Sequence, residues 1–252
     1  MSDSGIALGI DVGGSGIKGA PVDLDRGDFA ADRVRIGTPA GATPEDVCEV
    51  IADIVERFDG AHGHAPIGVT IPGVVTRGVV RSAANIDPAW VGFDAVAHLH
   101  ALLDHPVVVV NDADAAGIGE MYYGAAKGRE GLVILTTLGT GIGTALIHDG
   151  VLIPNSELGH LEVDGHDAET RASSAARENE DLSWDDWAKR LQRYYSHLEA
   201  LLWPDLFVVG GGVSKKADRF LPLLDLRTPI VPAPLENRAG IIGAAHLAAQ
   251  HR

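Results

Sequence analysis

Short apolar runs alternate along the chain with longer segments in which apolar residues recur every three or four positions. The runs predict strands at 6–10, 17–22, 67–71, 107–110, 132–135, 144–147 and 206–209. The helical spacing predicts helices at 43–58, 93–103, 113–123, 184–202 and 240–250. Strands that alternate with helices favour an α/β fold.

Two of these segments carry additional local signals. Thr43 and Pro44 are typical of a helix N-cap and first helical position, so the helix at 43–58 is expected to begin there. Four consecutive valines at 107–110 predict a strand that is buried on both faces, as in a parallel sheet.

A unit of strand, glycine-rich turn and strand occurs twice, near residues 6–22 and 132–147. Such a duplication indicates two related α/β domains around a central cleft. We expect a smaller domain made of residues 1–112 plus 239–252, with the C-terminal helix returning to it. Residues 113–238 would then form the larger domain.

Composition excludes several classes of function. The 252 residues carry a formal net charge of −15, which disfavours nucleic-acid binding. The one cysteine, Cys48, excludes a disulfide framework and a multi-cysteine zinc site, and it suits a cytoplasmic protein. The polar N-terminus does not resemble a signal peptide, and no apolar run approaches the roughly 20 residues of a membrane helix.

Several of the 31 glycines cluster in three strings at predicted strand ends. Bare backbone amides in such turns can point at phosphate oxygens, although a lone glycine turn is equally typical of a plain hairpin. Asp11 could hold a metal ion through water, and Lys18 adds positive charge. The candidate residues for binding the phosphates of a phosphate donor are Asp11, Gly13, Gly14, Ser15, Gly16, Lys18, Thr137, Gly139, Thr140, Gly141, Gly211 and Gly212.

Polar residues suited to a sugar follow two other segments. Asp112, after the valine strand, could accept a proton from an attacking hydroxyl, and Asn111 could bind a sugar hydroxyl. Glu157 and His160 could contact neighbouring hydroxyls. Taken alone, an Asn-Asp pair is typical of a turn, and a lone Glu and His are typical of a surface.

The order LGIDVGGSGIKG, VVVVNDADAA, LTTLGTGIGTALI and VVGGGVSK resembles the sugar-kinase branch of the actin-like (ribonuclease H-like) ATPase superfamily, and within it the ROK family. The resemblance covers nearly the whole chain. It implies that Asp112 is the general base of phosphoryl transfer to a hexose, with Mg²⁺ held near Asp11.

The resemblance also implies a sugar site. Asn111, Asp112, Glu157, His160 and Glu169 match the family's sugar-binding positions, with Glu162 as an alternative to Glu169. The loop at Pro72 and Gly73 matches a sugar-facing loop. Many ROK members carry a zinc-binding cysteine cluster after the Glu-x-Gly-His motif. Here residues 161–177 contain no cysteine, so no structural zinc is expected; an oxygen and nitrogen site at His160, Asp164, His166 and Asp167 is the less favoured alternative.

The strings at 156–173 and 182–216 are similar to the polyphosphate-using glucokinases of this family. This implies glucose as acceptor and inorganic polyphosphate, ATP or both as donor. Lys215 and Lys216, with Arg219 as a weaker candidate, could bind a phosphate chain, or could form an exposed helix face.

Three other functions remain open at this point. The chain could be an ATP-dependent ROK hexokinase for another sugar, or a sugar-sensing ROK regulator that catalyses nothing. It could also be an actin- or chaperone-like ATPase, although such a protein would not need Glu157, His160 and Glu169. Relatives are commonly dimers, which implies a homodimer. The aromatic residues at 184–203 could lie at its interface or pack internally.

Overall fold

The computed structural model describes residues 5–58, 66–84 and 86–250. The predicted absence of a signal peptide depended partly on residues 1–4, which lie outside the described residues. The chain forms two compact units, Met1–Gly119 with Arg238–Arg252 and Glu120–Asn237. The α/β class predicted from the apolar pattern is confirmed.

The sheet of the first unit is built from the first strand and glycine-turn hairpin and from two later parallel strands. The strands are β1 (Ile6–Gly13), β2 (Gly16–Asp23), β3 (Asp28–Phe29), β4 (Val34–Ile36), β5 (Ile67–Ile71), β6 (Val75–Thr76), β7 (Val79–Val80) and β8 (Val107–Asn111). The order in the sheet is β3-β2-β1-β5-β8, with β4 pairing β2, and a small hairpin, β6–β7, lies apart from it.

Two helices of this unit begin at side chains that satisfy free backbone amides. In α1 (Pro44–Arg57) the Thr43 hydroxyl accepts a hydrogen bond from the Asp46 amide, as predicted. In α2 (Ala95–Leu103) the Asp94 carboxylate caps Ala97. A short 3₁₀ turn, Pro88–Trp90, precedes α2. The next helix, α3 (Asp112–Tyr123), follows β8 directly and runs into the second unit.

The C-terminal helix, α7 (Ala239–Gln250), packs its backbone directly on the first sheet. A Cβ atom at Gly9 of β1 would lie 2.0 Å from the carbonyl oxygen of Ile241. A Cβ at Gly68 of β5 would lie 2.0 Å from that of Ala244. Glycine at these two positions therefore allows the helix to approach closer than any side chain would permit.

The sheet of the second unit repeats the same plan. Its strands are β9 (Leu132–Leu138), β10 (Ile142–His148), β11 (Val151–Ile153), β12 (Glu162–Val163), β13 (His166–Asp167), β14 (Leu206–Gly210) and β15 (Ile230–Pro232). The order in the sheet is β11-β10-β9-β14-β15, with a separate hairpin β12–β13. β9 pairs β10 antiparallel, and β14 lies parallel to both β9 and β15.

A long helix, α6 (Trp184–Leu202), covers this sheet with an aromatic core. Trp187, Tyr194, Tyr195, Phe207 and Phe220 are all buried, so most aromatic residues of this segment pack internally. Trp203, at its end, is 68% exposed. The remaining helical segments are α4 (Glu169–Ala172), α5 (Ser174–Asn179) and the 3₁₀ segments Leu158–His160, Gly212–Arg219, Leu221–Leu223 and Glu236–Arg238.

One burial prediction is only half right. Val107 and Val109 of β8 are buried, but Val108 and Val110 are half-buried, because successive side chains point to opposite faces and one face of this strand is less covered. None of the described helices is long and apolar enough to cross a membrane.

Candidate functional site

The end of β1 holds a carboxylate in a small polar network. Asp11 Oδ2 accepts a hydrogen bond from Lys18 Nζ at 3.0 Å, across the β1–β2 hairpin. Its Oδ1 accepts one from the Thr70 hydroxyl at 3.1 Å, and that hydroxyl accepts from the Val12 amide. Lys18, predicted to bind the donor, is therefore already paired with Asp11.

Sequence reasoning missed a second cation at the first glycine turn. Gly14 and Ser15 are exposed, and the Arg35 guanidinium donates to the Ser15 carbonyl at 2.8 Å. Arg35 lies on β4 opposite Lys18 of β2. Thr38 donates its hydroxyl to the Gly13 carbonyl. Only the pairing of β4 with β2 reveals Arg35, because nothing in the local sequence marks it.

Asn111 is buried and its side chain is largely engaged in holding the backbone. Its carbonyl oxygen accepts from the amides of Ala113 and Asp114 at 2.8 and 3.0 Å, which caps α3. Its amide donates to the Gly73 carbonyl at 3.1 Å. The contact places the predicted loop of Pro72 and Gly73 beside the end of β8. Asn111 thus leaves one amide hydrogen for a further partner.

Asp112 is the first residue of α3 and is half-buried. One of its carboxylate oxygens accepts from the Ala113 amide at 2.9 Å. A Cβ atom at Gly240 would lie 3.6 Å from Asp11 Oδ1 and 4.0 Å from the Asp112 carbonyl oxygen. Asp11 and Asp112, which are distant in sequence, therefore flank the same turn of α7.

The second unit brings together an imidazole and two carboxylates. His160 Nδ1 lies 2.9 Å from Asp167 Oδ2 and 3.8 Å from Glu169 Oε1. Asp167 Oδ1 also accepts from the Glu169 amide, which fixes the start of α4. Glu169 Oε2 in turn accepts from the Ile142 amide at 3.0 Å, beside Gly141. Sequence reasoning had named His160 and Glu169 as sugar ligands but gave Asp167 no such role.

The charges of this cluster shift two pKa values. The hydrogen bond to Asp167 is the main cause that raises the pKa of His160, and the charges of Glu169, Asp167 and Glu157 add to it. Glu157 remains accessible to solvent, yet partial desolvation of its carboxyl raises its pKa, and Glu169 adds to that effect. His160 opposes it. Both groups thus take up protons more readily than they would in water.

The same three side chains are the described residues whose geometry suits a metal ion, since the ligand atoms of His160, Asp167 and Glu169 lie within 4.8 Å of one another. A hydrogen bond already pairs His160 Nδ1 with Asp167 Oδ2, and Glu169 Oε2 already accepts from the Ile142 amide. Asp164, which the sequence offered as an alternative ligand, instead pairs with Arg193 at 2.6 Å. Glu162 lies exposed on β12.

The one cysteine of the chain lies away from this cluster in the sequence. Cys48 is buried, and desolvation raises its pKa to about 12.

The second and third glycine strings meet at the carboxyl ends of the parallel strands β9 and β14. Gly211 has a φ of +83°, and a Cβ there would lie 2.4 Å from the Leu138 carbonyl oxygen. A cavity of about 300 Å³ opens at this point. Its lining residues are Leu138, Gly139, Thr140, Ser174, Ala175, Arg177, Glu178, Trp184, Gly212, Val213 and Lys216.

The two predicted donor lysines differ in their surroundings. Lys215 forms an ion pair with Glu236 at 3.2 Å, whereas Lys216 lines the cavity. Arg219 lines a neighbouring pocket. Arg177 and Trp184, which also line the cavity, were missed by sequence reasoning, because no glycine or phosphate-binding pattern marks them.

Comparison with known proteins identifies the family. Residues 7–177 match the model of the ROK family. The chain belongs to the ROK family. The polyphosphate glucokinase of Mycobacterium tuberculosis is 55% identical over 239 residues, which cover 94% of this chain and 89% of that protein. The resemblance drawn from the ordered sequence strings is therefore confirmed.

Solved structures of ROK proteins share the fold. The inorganic polyphosphate/ATP-glucomannokinase of Arthrobacter sp. strain KM has a TM-score of 0.94 and 55% identity, covering 98% of this chain and 99% of that one. The ROK glucokinase of Streptomyces griseus, in complex with glucose and AMPPNP, has a TM-score of 0.84 and 26% identity, covering 98% and 100%. The predicted kinase fold is thus confirmed by both sequence and structure.

Proposed function

We propose that this ROK protein is a glucokinase that transfers a phosphoryl group from inorganic polyphosphate to the 6-hydroxyl of glucose. The observation that carries the proposal is the 55% identity to the mycobacterial polyphosphate glucokinase over 94% of the chain. The donor-side cavity and the imidazole–carboxylate cluster supply groups that this reaction needs.

Asp112 is the proposed general base. As O6 of the sugar forms its bond to phosphorus, the bond from that phosphorus to the shortened polyphosphate breaks, and the carboxylate takes the hydroxyl proton. Its half-buried place at the start of α3, after an edge strand, supports this role. Asn111 then positions the loop of Gly73 through its hydrogen bond, with one amide hydrogen left for the sugar.

Glu157, His160 and Glu169 are the proposed ligands of the sugar hydroxyls. His160 Nδ1 donates a hydrogen bond to Asp167, so the second ring nitrogen of His160, Nε2, is the one left to face a sugar hydroxyl. The carboxylates supply acceptors that suit hydroxyl donors. A neutral sugar with several hydroxyls matches this set better than an anionic acceptor does, because the carboxylates would repel an anion.

Phosphoryl transfer needs a divalent cation, and we propose Mg²⁺. Both oxygens of Asp11 already accept hydrogen bonds, from Lys18 and Thr70, so the carboxylate fits an ion that it holds through water. When bound, the ion would neutralise charge on the donor phosphates. The backbone amides of Thr140 and Gly212 would hold those phosphates, whereas the Gly139 amide already donates to the Gly141 carbonyl at 3.0 Å.

ATP is a second candidate donor. The Arthrobacter relative is described as a polyphosphate/ATP enzyme, and the Streptomyces griseus relative was solved with AMPPNP. We also propose a cytoplasmic homodimer. The single cysteine supports a cytoplasmic location. The exposed Trp203 supports a dimer interface, and light scattering of the purified protein tests the dimer.

The proposed reaction is tested by assaying glucose phosphorylation with polyphosphate and with ATP side by side. Asp112→Asn should keep glucose binding and lose a factor on the order of 10²–10⁴ in kcat, because the base is removed. Asp104→Asn, an exposed acid at the end of α2, is the matched control. A D112N variant with the wild-type rate would rule out the base assignment.

A further inference from the structure

A second pocket adjoins the cavity beside the second and third glycine strings. That pocket, of about 330 Å³, is lined by Trp184, Lys216, Asp218 and Arg219. Trp184 and Lys216 line both spaces, so the two are neighbours, one beside Gly139 and Thr140 and the other beside Arg219. We call the two spaces together the Trp184 groove.

Trp184 is engaged by neighbouring side chains of its own unit. The Arg177 guanidinium carbon lies 3.8 Å from the centroid of its ring, a cation–π contact. The Phe220 ring lies nearly parallel to it, at 12° and 6.1 Å, and Trp187 meets it edge-on at 5.9 Å. The indole therefore holds a cation against the groove and is poorly placed to stack a nucleobase.

The cations of the groove lack carboxylate partners. Arg190, Arg193 and Lys215 of the same unit all pair with acids. Among the described residues no ion pair engages Arg177, Lys216 or Arg219. The Arg177 Nε atom is buried without a hydrogen-bond partner. Because that atom is buried, an anion in the groove would reach the guanidinium through its terminal nitrogens.

The background charge makes this cluster unusual. The chain has 35 acidic and 20 basic residues, yet three unpaired cations line one groove. Two acids, Glu178 and Asp218, also lie there, and both are exposed. Three cations along a groove that starts at phosphate-binding turns suit a chain of repeated phosphates better than a single anion.

We propose that the Trp184 groove binds the part of an inorganic polyphosphate chain that lies beyond the transferred phosphate, through Arg177, Lys216 and Arg219. This inference rests on the proposed use of polyphosphate as donor. Each cation contacts a separate phosphate of the chain, so the groove favours long polyphosphates over short ones.

The test compares donors of different length in the variants Arg177→Gln, Lys216→Gln and Arg219→Gln. For long-chain polyphosphate, each change should raise KM about tenfold, the loss of one charged hydrogen bond. For tripolyphosphate the change should stay below about threefold, because a short donor ends near the glycine turns. The KM for glucose should not change.

Controls separate charge from folding. Lys189→Gln removes the same charge from an exposed residue of α6 that pairs with Asp186, and it should leave every KM unchanged. Lys216→Arg should restore long-chain binding. Thermal unfolding of each variant checks that the fold survives. Quenching of tryptophan fluorescence by long-chain polyphosphate, without glucose, should also weaken in the Gln variants.

Two kinds of result would overturn the assignment of the Trp184 groove to polyphosphate. An unchanged KM for long-chain polyphosphate in all three variants, or an equal rise for tripolyphosphate, overturns the inference while leaving the proposed reaction intact. A wild-type protein that phosphorylates glucose with ATP but never with polyphosphate overturns both the proposed donor and the groove assignment.

Discussion

Asp167→Asn tests how the imidazole of the proposed sugar site is held. Asp167 uses one oxygen to accept from His160 and the other to accept from the Glu169 amide. An asparagine has one carbonyl oxygen, so it can satisfy only one of these partners, and it carries no charge. The imidazole should therefore turn more freely and bind the sugar less well.

The size of the expected effect on glucose binding follows from how far the side chains of His160 and Asp167 are exposed to solvent. The side chain of His160 is 56% exposed and that of Asp167 is 39% exposed, so solvent screens the pair. We expect a loss of about 1 kcal/mol, which corresponds to a rise of about fivefold in the KM for glucose. The value of kcat should change by less than about twofold, because the lost contact affects sugar binding before and during the reaction equally.

The same change should alter the pH dependence of stability. The pKa of His160 is raised above 6.5 in the folded protein, mainly by Asp167. The stabilisation is therefore fully present below pH 6.5 and is lost as pH rises through the folded-state pKa. The loss of stability in the variant should therefore be larger below pH 6.5 than above the folded-state pKa, as denaturant titrations at several pH values would show.

Asp164→Asn is the matched control, because Asp164 lies near Asp167 in sequence but pairs with Arg193. Steady-state kinetics at saturating donor and calorimetric glucose binding measure both variants. If D167N binds glucose as the wild type does, or if its kcat falls while the KM for glucose stays the same, Asp167 does not hold His160 for sugar binding.

Two further changes test the architecture of the second unit. Tyr195→Phe removes a buried hydroxyl that lies 2.6 Å from the Thr136 hydroxyl. It should lower the free energy of unfolding by about 1–2 kcal/mol in a urea titration and leave the KM for glucose unchanged. A variant as stable as the wild type would contradict this. Gly211→Ala places a Cβ atom against the Leu138 carbonyl at a residue with positive φ. It should lower the unfolding temperature, reduce the free energy of unfolding by about 1–3 kcal/mol and raise the KM for the phosphate donor. A variant with unchanged stability and donor KM would show that the turn relaxes around the new side chain.

Local signals predicted the regular elements well. The helix predicted at 184–202 has those bounds, because Ser183 caps it and Trp203 ends it in a left-handed conformation just before Pro204. The first strand was predicted too short. β1 continues to Gly13 because its ladder with β2 extends to the pair of Gly13 and Gly16. That pairing depends on the partner strand and not on apolar residues.

The candidate site was predictable where its residues carry their own pattern. Glu157 and His160 share one short string, and Asp112 follows a strand of valines. Asp167 reaches His160 only because the β12–β13 hairpin turns the chain back on itself. Arg177 is marked only by its contact with Trp184. Such residues are defined by tertiary contacts, which a linear pattern does not contain.

The seating of α7 on the first sheet has a consequence for biosynthesis. Residues 239–250 leave the ribosome after every residue of the second unit, which is continuous in the chain. The strands β1 and β5 are therefore made early, but their glycine-lined face stays uncovered until α7 has been made and joins them. During that interval the uncovered face is exposed to contact with other chains, which favours aggregation over folding.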